Sequence, residues 1–468
     1  MRRLLWLVPL GLASCMVGPD YERPAVEAHE EWRDGLKGST SLADVPWWTL
    51  YKDEALVAMI KGALEANPDV LIAMERVTEA RARAGFVRAD LYPRLDAAGS
   101  AGAHKVSEEV LDAPTARDPK FQHYEIHGAL SWELDLWGRI RRGVEAEEAQ
   151  VLAAEEGRKS IVVAVVGEVA RVYFEMRDLD ARAELARATV VSRQAYVELA
   201  EVRFRGGVTS ELDWRQAQSE LARTKSILAD TEREGREKEN ELSILLGRNP
   251  GARPRGLAVD AMPLPPAVPA GLPSQLLERR PDIRAAEQLL VSANARIGEA
   301  KALMYPQLSL TVVGGWQSTD ASNFLTSSAS FWDMIGGLTA PIWDWGKNRS
   351  RVEENESRAR QAVIQYQAVI RQAFREVEDA LSAIRRSAEK RAALDDRVAA
   401  QRQVLVLAEE RYRGGISPYL EVLDAQRALF DSELDRTATI GDQLTSVVRL
   451  YRALGGGWTP PEPADGNK

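Results

Sequence analysis

The sequence is poor in the residues that enzymes and metal centres need. It contains one cysteine and four histidines among 468 residues, so it excludes an intramolecular disulfide and supplies few ligands for a histidine-based centre. No nucleophile–base set or phosphate-binding loop is evident, and we predict neither enzymatic activity nor a cofactor. The net charge is −9, which argues against a nucleic-acid partner.

Long apolar runs are scarce, and two long stretches lack proline. Beyond the N-terminus no run of about 18 or more apolar residues occurs, so a membrane-spanning part of this chain would have to be a β-barrel. No proline lies between Pro341 and Pro418, or between Pro418 and Pro460. Because proline interrupts helix interiors, long helices are predicted in both stretches. The length permits two or three domains.

The N-terminus is predicted to be a secretory signal peptide (1–14). Arg2-Arg3 precede an apolar stretch, 4–12, that is too short to span a membrane. The motif LASC, ending at Cys15, resembles a bacterial lipobox and implies cleavage before Cys15 and attachment of lipid such as palmitate. A signal peptide without lipidation is the alternative. Met16, in place of an aspartate, implies delivery to the outer membrane.

An internal repeat organises the chain. Residues 67–95 align without gaps with residues 280–308, 213 positions later, and 11 of these 29 positions are identical. Further along, the offset falls to 208, where the RGG of 205–207 matches that of 413–415. The predicted divisions are the signal peptide (1–14), an extended lipid-anchored segment (15–52), a first repeat (53–249), a proline-rich linker (250–273), a second repeat (274–455) and a C-terminal tail (456–468).

Each repeat is predicted to contain two strands. In residues 123–136 the odd positions are polar and the even positions apolar, which is typical of a transmembrane strand with a lumen face and a lipid face. A soluble antiparallel sheet with one wet face is the alternative. Four strands cannot close a barrel, so the membrane interpretation requires two, three or four subunits. The predicted strands are 94–104, 123–136, 307–316 and 330–343.

Each repeat is also predicted to end in a long helical hairpin. The first helix of each hairpin spans about 68 residues, or roughly 100 Å, so the helices must pack in a tall bundle or a cylinder. The predicted helices are 138–205 and 208–246 in the first repeat, and 346–413 and 418–455 in the second.

The hairpin turns contain paired glycines, which adopt the left-handed conformation that ends a helix. After the second turn, Ser417 is predicted to be the N-cap and Pro418 to lie in the first helical turn. The predicted turn formers are Gly206, Gly207, Gly414 and Gly415.

The chain resembles the outer membrane factors of tripartite efflux systems, the TolC-like, NodT/OprM-type outer membrane lipoproteins. The resemblance covers essentially the whole mature chain and lies in CMVGPDYERP, WWTLYKDEAL, ALEANPDV, the paired Tyr-Pro strands and the RGG…AQ turns. It implies a homotrimer that is mostly α-helical, with a periplasmic α-barrel and a 12-stranded membrane β-barrel to which each subunit contributes four strands.

The resemblance also implies a function in the bacterial outer membrane. The trimer would be a passive exit duct that exports drugs or other small molecules and contributes to antibiotic resistance. A periplasmic adaptor (membrane fusion) protein would dock at the tip turns, and an inner-membrane transporter of the RND type would deliver substrate. The alternatives are the duct of a type I protein-secretion system and a non-pore, lipid-anchored periplasmic coiled-coil tether.

Three acids are candidates for a periplasmic gate. Glu421 and Asp424 lie one turn apart on one helix face and match the acidic pair that rings the constriction of TolC-like proteins. In the first repeat Asp213 aligns with Glu421, whereas Gln216 replaces Asp424. Rings of carboxylates would make the constriction cation-attracting and pH-sensitive. Alternatively, these acids simply complement helix N-termini.

The remaining candidates have weaker support. Arg205 and Arg413 could tether neighbouring helices in a closed state or be ordinary solvated arginines, and the turn glycines would shape the adaptor-docking tip. His123, Glu125 and His127 share one strand face, but a fourth ligand is not evident, so no metal site is predicted.

Overall fold

The structure is a computed structural model and describes residues 16–26, 31–33, 47–105, 120–263 and 273–456. The signal peptide and Cys15 therefore lie outside the described residues, as do parts of the predicted linker and tail. Within the described ranges, no helix combines the length and apolar character needed to cross a membrane.

The described elements alternate between helices and strands in the order that the repeat predicts. Short 3₁₀ turns, such as Trp47–Tyr51, accompany them. In chain order the main elements are α1 (Glu54–Ala66), α2 (Pro68–Ala89), β1 (Arg94–Lys105), β2 (Lys120–Leu134), α3 (Arg139–Arg205), α4 (Glu211–Leu245), α5 (Leu276–Arg279), α6 (Pro281–Ala302), β3 (Gln307–Ser318), β4 (Ser330–Thr339), α7 (Lys347–Arg413) and α8 (Tyr419–Ala453).

The four strands form one antiparallel sheet in sequential order, so β1 and β4 are its two edges. Arg94 pairs with Ser131 across the first hairpin. The strand predicted over 330–343 ends earlier, at Thr339. Pro341 explains the difference, because proline has no N–H for the ladder and restricts the residue before it.

The chain divides into two compact units that cut across the sequence repeats. Each unit takes part of both repeats, and four of the divisions fall inside α2, α3, α6 and α7. The first unit comprises the described part of Met1–Ala25, Val77–Ala154 and Ala286–Tyr366; the second comprises the described parts of Val26–Arg76, Glu155–Ala285 and Gln367–Lys468.

The second unit has a large core around buried aromatic side chains, each worth about 1.5–3 kcal/mol when removed from water. Tyr51, Tyr173 and Phe174 are fully buried there. Asp53 caps α1 and is itself buried, but its carboxylate also accepts hydrogen bonds from the Tyr173 hydroxyl (2.7 Å) and the Leu257 N–H (3.0 Å). The buried carboxylate is thus satisfied by several donors.

In the first unit, the N-terminal segment 16–25 is held against α6 by specific contacts. A side chain at Gly18 would collide with the backbone of Gly298, and a side chain at Gly298 would collide with the Val17 carbonyl oxygen and with Arg142. Arg23 donates two hydrogen bonds to Glu287, at 2.7 and 2.5 Å, and the Tyr21 hydroxyl donates a third at 3.1 Å. This segment lacks regular secondary structure but has a defined path.

Candidate functional site

The two helical hairpins of the second unit end in turns with the same backbone geometry. Gly207 and Gly415 have φ angles of +72° and +73°, the left-handed region that favours glycine. In each turn three successive backbone N–H groups donate to carbonyls of the last helical turn at 2.9–3.1 Å. These bonds satisfy the carbonyls that a helix end would otherwise expose.

The start of α8 differs from the prediction. Pro418, not Ser417, is the N-cap, and α8 begins at Tyr419. The Ser417 hydroxyl is buried and has no hydrogen-bond partner among the described residues. In the first repeat, Ser210 is the N-cap, and its hydroxyl accepts from the Asp213 N–H at 3.4 Å. The prediction was wrong because proline itself adopts the extended N-cap conformation, with ψ 159°.

The paired tips share a small apolar core drawn from α3, α4, α7 and α8. Apolar side chains at these positions hold the two hairpins side by side, so the acids that follow the turns are carried on a packed scaffold. Burial raises the pKa of Tyr419, a member of this core, to about 12. The core residues are Val197, Ala200, Ala217, Leu221, Ala408, Tyr419, Val422, Leu423 and Ala425.

Glu421 and Asp424 line one open cavity of about 500 Å³ beside the second tip. Their side chains are 46% and 66% exposed. Each contacts an arginine: Arg411 Nε lies 3.3 Å from Glu421 Oε2, and Arg427 lies 3.7 Å from Asp424. Arg411 also lines the cavity. The structure therefore brings these two predicted acids together and pairs each with a cation.

Asp213 occupies the corresponding place in the first repeat but has different surroundings. It lies in the first turn of α4, and within the described part of the chain it forms no ion pair. It is not among the residues that line the cavity at Glu421 and Asp424. Its negative charge also raises the pKa of Tyr419, but by less than burial, Tyr412 and Glu220 do.

Arg205 and Arg413 each contact a glutamate one turn earlier in their own helix. Arg205 lies 2.5 Å from Glu201, and Arg413 lies 3.3 Å from Glu409. Both arginines are largely exposed, at 75% and 70%. In this conformation the described contacts of both arginines are therefore ordinary surface ion pairs. Glu409, the partner of Arg413, also accepts a hydrogen bond from Tyr196 of α3.

The sequence analysis missed a buried ion cluster next to Asp424. Arg193 of α3 and Glu220 of α4 are only 4% and 5% exposed and lie 2.9 Å apart. Arg193 also donates to the Thr224 hydroxyl at 2.5 Å. Arg427 of α8 donates to the second oxygen of Glu220 and so connects this cluster to Asp424.

The pKa of Glu220 reflects these contacts. Burial by itself raises the pKa. The hydrogen bond from Arg427 and the charges of Arg427 and Arg193 together lower it by more, so the pKa lies below its ordinary value of 4.5. The sequence offered only a weak signal that Glu220 is buried. Glu220 lies on the same helix face as Ala217, Leu221 and Thr224, which are all buried.

The three polar residues on strand β2 do form a cluster. Glu125 lies 3.0 Å from His123 and 2.8 Å from His127. Among the described residues, no group of three or more His, Cys, Asp or Glu side chains has a geometry suited to a metal ion.

Comparisons with known proteins agree with the sequence and with the geometry. The family model described as outer membrane efflux protein matches residues 59–248 and 272–456. The solvent efflux pump outer membrane protein SrpC of Pseudomonas putida is 35% identical over 460 residues, 96% of this chain and 97% of SrpC. The cation efflux system protein CusC of Escherichia coli O6:H1 is 34% identical over 461 residues, 97% and 98% of the two chains.

A solved structure gives the same result for the fold. The outer-membrane channel OprN superposes with a TM-score of 0.87 at 28% identity, covering 95% of this chain and all of that one. The predicted fold class, long helices combined with a small membrane sheet, is confirmed. The chain belongs to the outer membrane efflux protein family, and it functions in the outer membrane as a transport duct of an efflux pump rather than as an enzyme.

Proposed function

We propose that three copies of this chain form the passive exit duct of a tripartite pump, with a periplasmic gate at Glu421 and Asp424. Three four-stranded sheets would close one 12-stranded barrel in the outer membrane, anchored by lipid on Cys15. The duct itself supplies no energy. Its substrates are small molecules, as the names of the solvent and cation efflux relatives suggest.

The observation that carries the gate is the shared position of the two acids. Glu421 and Asp424 face one cavity at the tip, and both carboxylates are about half exposed or more. Threefold symmetry turns them into two stacked rings of negative charge. Such rings attract cations and slow other solutes in a narrow aqueous neck.

The arginine contacts give the gate a way to open. Exposed ion pairs are worth only about 0–1 kcal/mol each, so the pairs Arg411–Glu421 and Arg427–Asp424 can separate at little cost. Binding energy from a partner at the tip would suffice to separate several at once. We assign Asp213 a weaker, supporting part in the same ring.

The partners follow from the tip geometry. The turns at Gly206-Gly207 and Gly414-Gly415 present an exposed, internally hydrogen-bonded backbone, suited to docking a periplasmic adaptor protein. Arg205 and Arg413 flank these turns as exposed cations. The transporter behind the adaptor would be an inner-membrane pump of the RND type.

Single-channel conductance in planar bilayers tests the gate. The parent should conduct weakly, and Glu421→Gln/Asp424→Asn should conduct several times more, because the acid–arginine contacts that hold the neck are lost. Glu211→Gln/Asp230→Asn is the matched control, since it also removes two exposed acids from a tip-side helix but leaves the cavity unchanged.

Each other outcome has a clear meaning. A conducting parent unaffected by either double variant would retain the duct and refute the gate. Folded protein that never conducts would instead support the non-pore tether, and a neck that passes unfolded polypeptide would support a protein-secretion duct.

A further inference from the structure

The sheet carries a cluster of titratable side chains that the gate does not use. His123 and His127 lie on β2 on either side of Glu125, and the ring centroid of His104 of β1 lies 6.5 Å from that of His123. These four residues, which we call the histidine cluster, include three of the four histidines of the chain. Imidazole is the side chain that ordinarily gains its charge between about pH 8 and pH 5, so the cluster concentrates pH-sensitive groups at one place in the sheet.

The Glu125 carboxylate lies between the two imidazoles of β2. His123 Nε2 lies 3.0 Å from one carboxylate oxygen, and His127 Nδ1 lies 2.8 Å from the other. All three side chains are only 23–25% exposed. Among the described residues, His127 Nδ1 is buried and has no hydrogen-bond partner of suitable geometry. One acid is thus shared by two rings, each of which can take up a proton.

Two glycines on the neighbouring strands leave room for the imidazoles. Gly102 of β1 lies opposite His123, and Gly315 of β3 lies opposite His127. A Cβ at Gly102 would lie 3.0 Å from His104 Nε2, and a Cβ at Gly315 would lie 2.7 Å from the Cβ of His127. The local sequence of three strands therefore accommodates the cluster.

Aromatic rings extend the cluster across the sheet. Gly315 also pairs with Phe331 of β4, and the His127 ring reaches across this glycine to the Phe331 ring, with centroids 6.5 Å apart. At the other side, His104 stacks on Phe121 with ring centroids 5.3 Å apart. The cluster and its aromatic neighbours thus involve β1, β2 and β4.

The cluster lies on the polar face of the sheet. Opposed residues of an antiparallel pair present their side chains to the same face, and the odd positions of 123–136 share the face that carries the cluster. The even positions of this segment, such as Tyr124, Ile126 and Leu130, lie on the opposite, apolar face. Since a membrane barrel turns its polar face to the lumen, the histidine cluster faces the interior of the duct.

Few other charges share this face within the described strands. Arg94 and Asp96 of β1 pair with each other at 2.9 Å, and Glu133 of β2 pairs with Arg139 at 2.7 Å. β3 has no charged residue, and β4 contributes Asp333. Among the described residues, the acid of the cluster and Asp333 are therefore the two carboxylates of this face that no lysine or arginine neutralises.

We propose that the histidine cluster is a charge filter in the lumen of the barrel, which favours cations when its histidines are neutral and anions when they are protonated. With neutral histidines, Glu125 and Asp333 make this face negative. Three protonated histidines outnumber the two acids and reverse the sign. Threefold symmetry repeats each charge around the lumen, and rings of charged side chains select ions of the opposite sign.

This inference rests on the barrel of the proposed function but not on the gate acids. Its sign follows from the ordinary behaviour of the two kinds of group. Imidazole becomes positive as the pH falls towards about 5, whereas carboxylates ordinarily keep most of their charge down to about pH 4–5. The filter should therefore select cations at neutral pH and lose that preference in mild acid.

The ratio of K⁺ to Cl⁻ permeability, obtained from reversal potentials of the full chain in planar bilayers, tests the filter. In the parent the ratio should fall several-fold between about pH 7.5 and pH 5. His104→Gln/His123→Gln/His127→Gln should change little over that range, because glutamine is polar but does not titrate. His29→Gln is the matched control, since it removes the remaining histidine and should follow the parent.

The comparison separates the filter from the gate and from the duct. The gate acids are present in the parent and in every histidine variant, so their titration contributes equally to each. Equal pH dependence in the parent and the triple variant would overturn the filter and leave the duct intact. Folded parent protein that conducts at neither pH would instead refute the duct on which the filter rests.

A second variant keeps all three histidines and so does not depend on the folding of the triple variant. Glu125→Gln should lower the K⁺ to Cl⁻ permeability ratio at about pH 7.5, because it removes one of the two acids on this face, and its preference should reverse at a higher pH than that of the parent. A ratio equal to that of the parent at both pH values would contradict the proposal.

Discussion

The turns at Gly206-Gly207 and Gly414-Gly415 follow the same backbone path, yet the helices that leave them carry different charges. After the second turn, Glu421 and Asp424 face a cavity and each contacts an arginine. After the first turn, Asp213 forms no ion pair within the described residues, and Gln216 occupies the place of Asp424. Glycine determines where both helices reverse, and the residues of the first helical turns determine what each tip can do.

The two tips also differ in what lies behind them. The first repeat supplies a buried anion, Glu220, where the second has Ala428. The second supplies a cation, Arg427, where the first has Ser219. Arg427 of the second repeat binds Glu220 of the first, so the repeats are complementary rather than redundant. The first repeat uses the acid Glu220 in a buried ion cluster, whereas the second exposes its acids, Glu421 and Asp424.

The largest expected effect comes from breaking that complementarity. Glu220→Ala should destabilise the tips by about 3–5 kcal/mol, because it leaves Arg193 buried without its partner. Hydrogen exchange of the tip helices would measure the loss. Glu211→Ala is the control, since its ion pair with Arg215 is more than half exposed and should contribute at most about 1 kcal/mol. Similar effects for both variants would contradict a structural role for the cluster.

The same residue predicts a pH dependence with a definite sign. The folded pKa of Glu220 lies below 4.5, so the folded state favours the charged form. Its contribution is therefore fully present above pH 4.5 and is lost as the pH falls through the lowered folded value. Acid titration of the parent should show this component, and Glu220→Gln should lack it.

Replacing the left-handed glycine should destabilise the two turns equally, and by less than the loss of Glu220. Gly207→Ala and Gly415→Ala should each cost about 1–2 kcal/mol, because both residues have φ near +72° and an L side chain is disfavoured there. Space is not the cause, since a Cβ at either position meets no described atom within 4 Å. Gly157→Ala, inside α3 and equally open, should instead stabilise by roughly 0.5–1 kcal/mol. Thermal unfolding would separate the three, and unequal turn variants would show that the tips differ in backbone too.

The smallest expected effects on stability come from N-cap substitutions, which should have opposite signs at the starts of α4 and α8. Ser210→Ala should cost about 0.5 kcal/mol, the low end for an N-cap, because its hydrogen bond is long at 3.4 Å. Pro418→Ser should gain a similar amount, since the present cap has no side-chain hydrogen bond. Local hydrogen exchange in the first turns of α4 and α8 would measure both. A loss at Pro418→Ser would indicate that the fixed proline φ matters more than the cap.

Much of the fold was predictable because most of its sequence signals occur twice, once in each repeat. The missing prolines, the paired glycines and the period-two alternation in 123–136 each indicate local structure through backbone chemistry. Prediction failed where neighbouring signals conflicted: Ser417 was expected to be the N-cap of α8, but Pro418 is the N-cap and the helix begins at Tyr419. It also failed at the end of β4, where apolar residues continue after the proline that ends the ladder.

The candidate site was predictable only in part. Spacing and resemblance identified Glu421, Asp424 and Asp213, and their assignment to a gate stays a prediction. Arg193, Glu220 and Arg427 escaped notice, since charged residues on a long helix normally face water and nothing local distinguishes these from their solvated neighbours.

By itself, the sequence determined the duplicated helix–strand–helix order, the positions of the turns and the family, because these depend on local backbone preferences and on residue patterns. Only the tertiary structure decided which charges are buried, which acids meet an arginine and which strand edges remain open. Those outcomes depend on residues far apart in the chain: Arg193 and Arg427 come together at Glu220 because α3, α4 and α8 pack side by side and exclude water between them.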